Sequence, residues 1–125
     1  MTKRTQKAAT KKLVNAIIEG IREVKGHEIV SLNLEKIGSA PADYFVICTG
    51  TSSTQVEAIA HSVEKETEKV LGEKPRYVEG RRNSKWILMD YFNVIVHIFD
   101  ESSRKYYSLH QLWADAETEM IPELA

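Results

Sequence analysis

Two β-prone runs, Trp86 to Tyr91 and Val94 to Phe99, are separated by only Phe92-Asn93. So short a connection makes them an antiparallel hairpin with a two-residue loop. In that register Tyr91 lies opposite Val94, Met89 opposite Val96 and Ile87 opposite Ile98, which places six apolar side chains on one core-facing side. The alternate side sets Trp86 opposite Phe99, Leu88 opposite His97 and Asp90 opposite Ile95. A solvent face is mostly polar and a core face excludes Asp, so this mixture leaves two readings open. In one, a second helix layer covers the face and Asp90 and His97 form a satisfied diagonal pair. In the other, the face is an aromatic and aliphatic patch with polar handles, the composition of a protein interface.

The rest of the chain supplies partners for this hairpin. Leu13, Val14, Ile17, Ile18, Ile21 and Val24 recur at helical spacing, and Gly26 is a natural stop. From His27 to Leu34 the period changes to alternation, predicting a strand, and after a turn at Gly38 to Pro41 the apolar run Tyr44 to Cys48 predicts a strand covered on both faces. Gly50 to Thr54 then offers hydroxyls for a helix start, with Ser52 and Gln55, or Thr54 and Glu57, able to form a capping box. That helix carries Val56, Ile59, Ala60, Val63, Thr67 and Val70 on one side and ends at Gly72. A short strand at Arg76 to Glu79 precedes the hairpin, and Ser103 to Trp113 reads as helical. The order predicts an α/β sandwich, a mixed sheet of about five strands with helices packed across it.

At 125 residues, 42% of them hydrophobic and 28% charged, the chain fits one globular domain. No apolar run is long enough for a membrane span, the N-terminus lacks the pattern of a secretory signal, and the single cysteine, Cys48, forms no internal disulfide; a cytoplasmic protein is expected. The formal net charge of −1 excludes a global basic field, but the ends differ. Lys3, Arg4, Lys7, Lys11 and Lys12 make residues 1–12 a basic segment, and Asp115, Glu117, Glu119 and Glu123 make the end acidic. The expected organisation is a basic segment at 1–12, a domain at 13–115 and an acidic tail at 116–125, both ends being solvated tails or helix ends.

Catalytic constellations are not evident. Nucleotidyl transfer needs carboxylates gathered around a divalent metal, yet no Asp-x-Asp occurs, and Glu64 and Glu66 project in different directions from a helix. Helix capping accounts for Gly50 to Ser52 without a phosphate. Asp90 and His97 suggest a general base, but no nucleophile accompanies them, because Cys48 sits in an apolar strand. His27, His61 and His110 lie on separate elements without metal-ligand spacing. No catalytic residue, cofactor or metal is expected.

Four blocks carry a resemblance: Asp43-Tyr44-Phe45-Val46-Ile47-Cys48-Thr49-Gly50-Thr51-Ser52; Val78-Glu79-Gly80 with Trp86-Ile87-Leu88-Met89-Asp90-Tyr91; Val94-Ile95-Val96-His97-Ile98-Phe99; and Tyr106-Tyr107-Ser108-Leu109 through Leu112-Trp113. In this order and spacing they resemble the ribosomal silencing factor, or Iojap-like, family over roughly positions 13–115. The resemblance implies a fold related to nucleotidyltransferases, frequent homodimers, and a non-catalytic factor that binds large-subunit ribosomal protein L-fourteen. Such a factor keeps the small subunit from joining the large one and represses translation. It implies partner-binding roles for Trp86, Leu88, Asp90 and Tyr91, and further for His97 and Phe99. Tyr91 stands on the opposite side of the hairpin in the register above. Phe92-Asn93 also departs from the Gly-Asp usual between these strands, and Phe is a poor residue for positive φ. Two alternatives accompany this reading: a large-subunit biogenesis factor whose basic N-terminus contacts ribosomal RNA, and a nucleotidyltransferase-like nucleotide-binding protein.

Overall fold

The structure, a computed structural model, describes residues 3–123. The apolar stripe from Leu13 to Ile21 forms the buried side of helix α1 (Lys3–Glu23). The helix ends where Lys25 takes φ of 59° and the Gly26 amide donates to the Ile21 carbonyl at 3.0 Å. Strands β1 (His27–Asn33) and β2 (Tyr44–Gly50) follow, then α2 (Ser53–Leu71), β3 (Tyr77–Glu79), β4 (Trp86–Asp90) and β5 (Val94–Asp100). Two short helices, α3 (Glu101–Tyr106) and α4 (Leu109–Leu112), divide the segment expected as one helical stretch, and β6 (Glu117–Ile121) closes the order.

Among the described residues the sheet runs β3-β4-β5-β2-β1-β6, with β2 and β5 parallel and every other neighbouring pair antiparallel. The α/β sandwich is as expected; the sixth strand is not. Residues 117–121, read above as part of an acidic tail, pair along β1 from Asn33↔Glu117 to Ile29↔Ile121. Ile121 packs against the core, the Arg22 guanidinium donates to the Pro122 carbonyl at 2.8 Å, and His27 meets Glu123 at 2.5 Å. The basic first turns belong to α1, although Met1 and Thr2 of that segment, and Leu124 and Ala125 of the acidic one, lie outside the described residues.

Two apolar clusters flank the sheet. On one side α1 and α2 cover Val46, Cys48, Ile87, Met89, Val96 and Ile98. The two helices cross closely at Gly20, where a Cβ would stand 2.8 Å from the Val63 backbone, and Ser62 Oγ donates to the Gly20 carbonyl at 2.7 Å. Gln55 ties the same helices at their ends. Its amide N–H donates to the Ser52 cap hydroxyl at 3.1 Å, its Oε1 accepts from the Thr51 amide at 2.6 Å, and its Nε2 donates to the Val24 and Lys25 carbonyls just past the end of α1. On the other side, among the described residues, no long helix lies over the sheet. Val30, Leu32, Phe45, Ile47, Ile95 and Phe99 are covered instead by Ile37, Ala40 and Ala42 of the β1–β2 connection and by Leu109, Trp113 and Ala116.

Candidate protein-binding face

The hairpin forms in the expected register, Trp86↔Phe99, Leu88↔His97 and Asp90↔Ile95, with the Tyr91 amide donating to the Val94 carbonyl at 2.9 Å. Its two faces differ as the alternation requires. Tyr91 belongs to the helix side: its ring is buried against α2 and its hydroxyl lies 2.9 Å from Thr67 Oγ1, with burial first among the causes that push its phenol up to about 12.

On the opposite face the six side chains are graded by depth. Phe99 and Ile95 are buried and join the second core, whereas Trp86 and Leu88 are half-buried at its margin. The Trp86 ring lies 5.0 Å from Phe99 and 4.8 Å from Tyr107, and the exposed Tyr106 makes an edge contact with Tyr107. An aromatic ridge therefore leads from the interior to the surface, with Leu112 also exposed nearby in sequence. The tight turn after β3 sets its position. Gly80 has φ of 93°, and a Cβ there would stand 2.0 Å from the Trp86 carbonyl oxygen.

His97 is buried beneath this ridge. Trp86 Nε1–H donates to His97 Nδ1 at 3.1 Å, and since the indole nitrogen only donates, the neutral imidazole carries its proton on Nε2. Among the described residues that Nε2 is buried without a hydrogen-bond partner, while the Phe45 ring stands edge-on at 4.6 Å. Burial pushes His97 down to about 4, so it is neutral at physiological pH.

Asp90 does not turn toward His97, so the diagonal pair considered above is absent. Its Oδ1 accepts the Phe92 amide at 2.6 Å and its Oδ2 accepts from Arg76 Nη2 at 3.1 Å. Burial alone would raise the carboxyl; the Phe92 amide, Arg76 and Tyr77 together outweigh it and hold the group below the ordinary carboxylate range. These bonds shape the hairpin end. Phe92 has φ of 78°, a conformation that costs a non-glycine residue on the order of 1–3 kcal/mol, and the Asn93 amide reaches back to the Tyr91 carbonyl across it. The Asn93 carbonyl accepts from the Asp43 and Tyr44 amides, and its side-chain nitrogen donates to Thr10 Oγ1 at 2.8 Å. The tip is therefore fastened to both α1 and β2.

Of the six residues singled out from the sequence, the fold thus presents Trp86 and Leu88 at the surface and sets Asp90, Tyr91, His97 and Phe99 behind it. Arg76, Tyr77 and Phe92, all exposed at the tip, were not among those six; two separated segments place them together. The catalytic combinations stay apart. Cys48 is fully buried, and desolvation pushes its thiol up to about 12. Glu64 is engaged by Arg81, and among the described residues no three His, Cys, Asp or Glu side chains gather as a metal site. His27 pairs with Glu123 and His61 lies exposed on α2; the side chain of His110 lies outside the described residues. No described helix is long and apolar enough to cross a membrane.

The fold and face define a class: a mixed-sheet α/β domain whose distinctive surface is an aromatic margin. Residues 6–125 match the family described as ribosomal silencing factor during starvation. The chain is 36% identical over 110 residues to the ribosomal silencing factor RsfS of Halalkalibacterium halodurans, covering 88% of this chain and 92% of that protein. A crystal structure of a Chromobacterium violaceum protein superimposes with a TM-score of 0.79 at 29% identity, covering 92% of this chain and 91% of that one. A more distant relative, 32% identical over 73 residues, is the mouse protein named mitochondrial assembly of ribosomal large subunit protein 1, of which the match covers 32% and which it aligns to 57% of this chain. The chain belongs to the ribosomal silencing factor family.

Proposed function

We propose that this protein silences ribosomes by docking the Trp86 and Leu88 margin of its hairpin face on large-subunit ribosomal protein L-fourteen, where its volume keeps the small subunit from joining. The observation that carries the reading is the ridge from Phe99 through Trp86 and Tyr107 to Tyr106, because large aromatic groups held rigid at a half-exposed margin are what a docking anchor requires. Phe99 and His97 support the anchor from below. No turnover is needed: a contact of roughly 800 Å² per partner suffices for a specific complex, and occlusion follows from bulk. The test is subunit joining followed by light scattering. Added protein should suppress association of purified subunits, and Trp86→Ala should restore it; undiminished joining with saturating wild-type protein would reject the reading.

A second reading, assembly of the large subunit with a ribosomal RNA contact, is favoured by one feature. Lys7, Lys11 and Lys12 line the exposed start of α1 and enter no salt bridge among the described residues, Lys11 instead lying over the Tyr44 ring. Replacing Lys7, Lys11 and Lys12 together by Ala separates the two. A lost salt dependence of binding would support RNA contact, since phosphate contacts release counterions, while an unchanged one supports the protein contact alone.

A further inference from the structure

Arg76 extends across the hairpin end between two aromatic rings, its guanidinium carbon 5.1 Å from the Phe92 ring centre and 5.6 Å from that of Tyr77. Phe92 is 70% exposed and Tyr77 45%, so neither ring is held there by core packing. What holds them is Asp90, which binds the Phe92 amide, the Arg76 guanidinium and Tyr77 from below. The turn is fastened further by Asn93 to Asp43, Tyr44 and Thr10. Two exposed rings and an arginine, fixed before any partner arrives, lose little side-chain freedom on binding. A bulky residue in a left-handed conformation, where glycine would be strain-free, points the same way: strain retained at an exposed tip marks a use for the ring.

We infer that Arg76, Tyr77 and Phe92 form a second docking anchor for a protein partner, and that Asp90 is its positioning residue rather than a contact. The inference rests on the hairpin face being the partner surface, and it extends that surface along β4 to its far end. The charge around the tip selects the kind of partner. Asp90 offsets Arg76, Lys74 pairs with Glu68, and Glu73 and Glu79 are exposed on either side, so the site offers no positive field to a polyanion. It fits instead a protein surface with apolar side chains for the two rings and a carbonyl or carboxylate acceptor for the remaining guanidinium N–H groups.

Phe92→Gly tests this cleanly, because it deletes the ring while relieving the backbone. Wild type, Phe92→Gly, Phe92→Asn and Trp86→Ala would be titrated against purified large ribosomal subunits at two salt concentrations, with thermal melts alongside. Both tip variants should melt at or above the wild-type temperature yet bind about tenfold more weakly, with unchanged salt dependence. Wild-type affinity in either folded tip variant would overturn the inference, as would a loss that comes with a flatter salt dependence, which would assign the tip to phosphate. Failure of the parent reading looks different: Trp86→Ala would then bind as wild type whatever the tip variants do.

Discussion

Trp86 and His97 are joined across the hairpin by a hydrogen bond of 3.1 Å from the indole N–H to Nδ1, so a half-buried anchor of the face is fixed by a buried imidazole. Trp86→Phe keeps an aromatic ring but leaves both His97 nitrogens unpaired. We expect it to destabilise the fold by about 1–2 kcal/mol, read as a lower urea midpoint with an unchanged slope.

The same imidazole gives the protein an acid sensitivity. In the folded chain His97 titrates near 4, against about 6.5 for an unperturbed histidine. Between those values the unfolded state binds the extra proton, so stability is greatest above the higher value and falls as pH drops through the interval. The loss approaches roughly 3 kcal/mol at its acid end. Urea unfolding at several pH values should show this slope, and His97→Gln should flatten it.

Asp90 is expected to matter to stability before it matters to binding. Asp90→Ala leaves the Phe92 amide without its acceptor and frees Arg76, and should cost about 2–3 kcal/mol in chemical denaturation. Asp90→Asn, which keeps an acceptor for the amide but loses the charge, should cost about half as much.

Gly80→Ala should fail in a different manner. The added methyl would stand 2.0 Å from the Trp86 carbonyl oxygen at a residue with φ of 93°. Shifting the start of β4 should cost at least about 2 kcal/mol and disturb the tryptophan fluorescence together with the melting temperature.

How much of this was readable beforehand follows from which contacts are local. The hairpin register, the division of its faces and the Ser52–Gln55 cap are set by residues a few positions apart, and each appears in the fold as the alternation or spacing demands. The placement of the site residues is not local. Alternation puts Tyr91 on the inner face, but its hydroxyl's partner, Thr67, lies 24 residues earlier, and Asp90 turns to the tip because Arg76 arrives there from before β3. Strand β6 was obscured by its own composition. Glu117, Thr118 and Glu119 are exposed on an edge strand, so only Ile121 signals a core, and the pairing partner β1 lies far back in the chain. The two exposed aromatic margins were legible as residues but not as neighbours.

The central claim is that Trp86 anchors a protein contact, and the most direct measurement is the affinity of purified L-fourteen for wild type, Trp86→Ala and Tyr91→Phe, each verified as folded. Trp86→Ala should weaken binding by about 2 kcal/mol or more, some thirtyfold, while Tyr91→Phe, altered only beneath α2, should bind as wild type. Equal affinity of wild type and folded Trp86→Ala would contradict it.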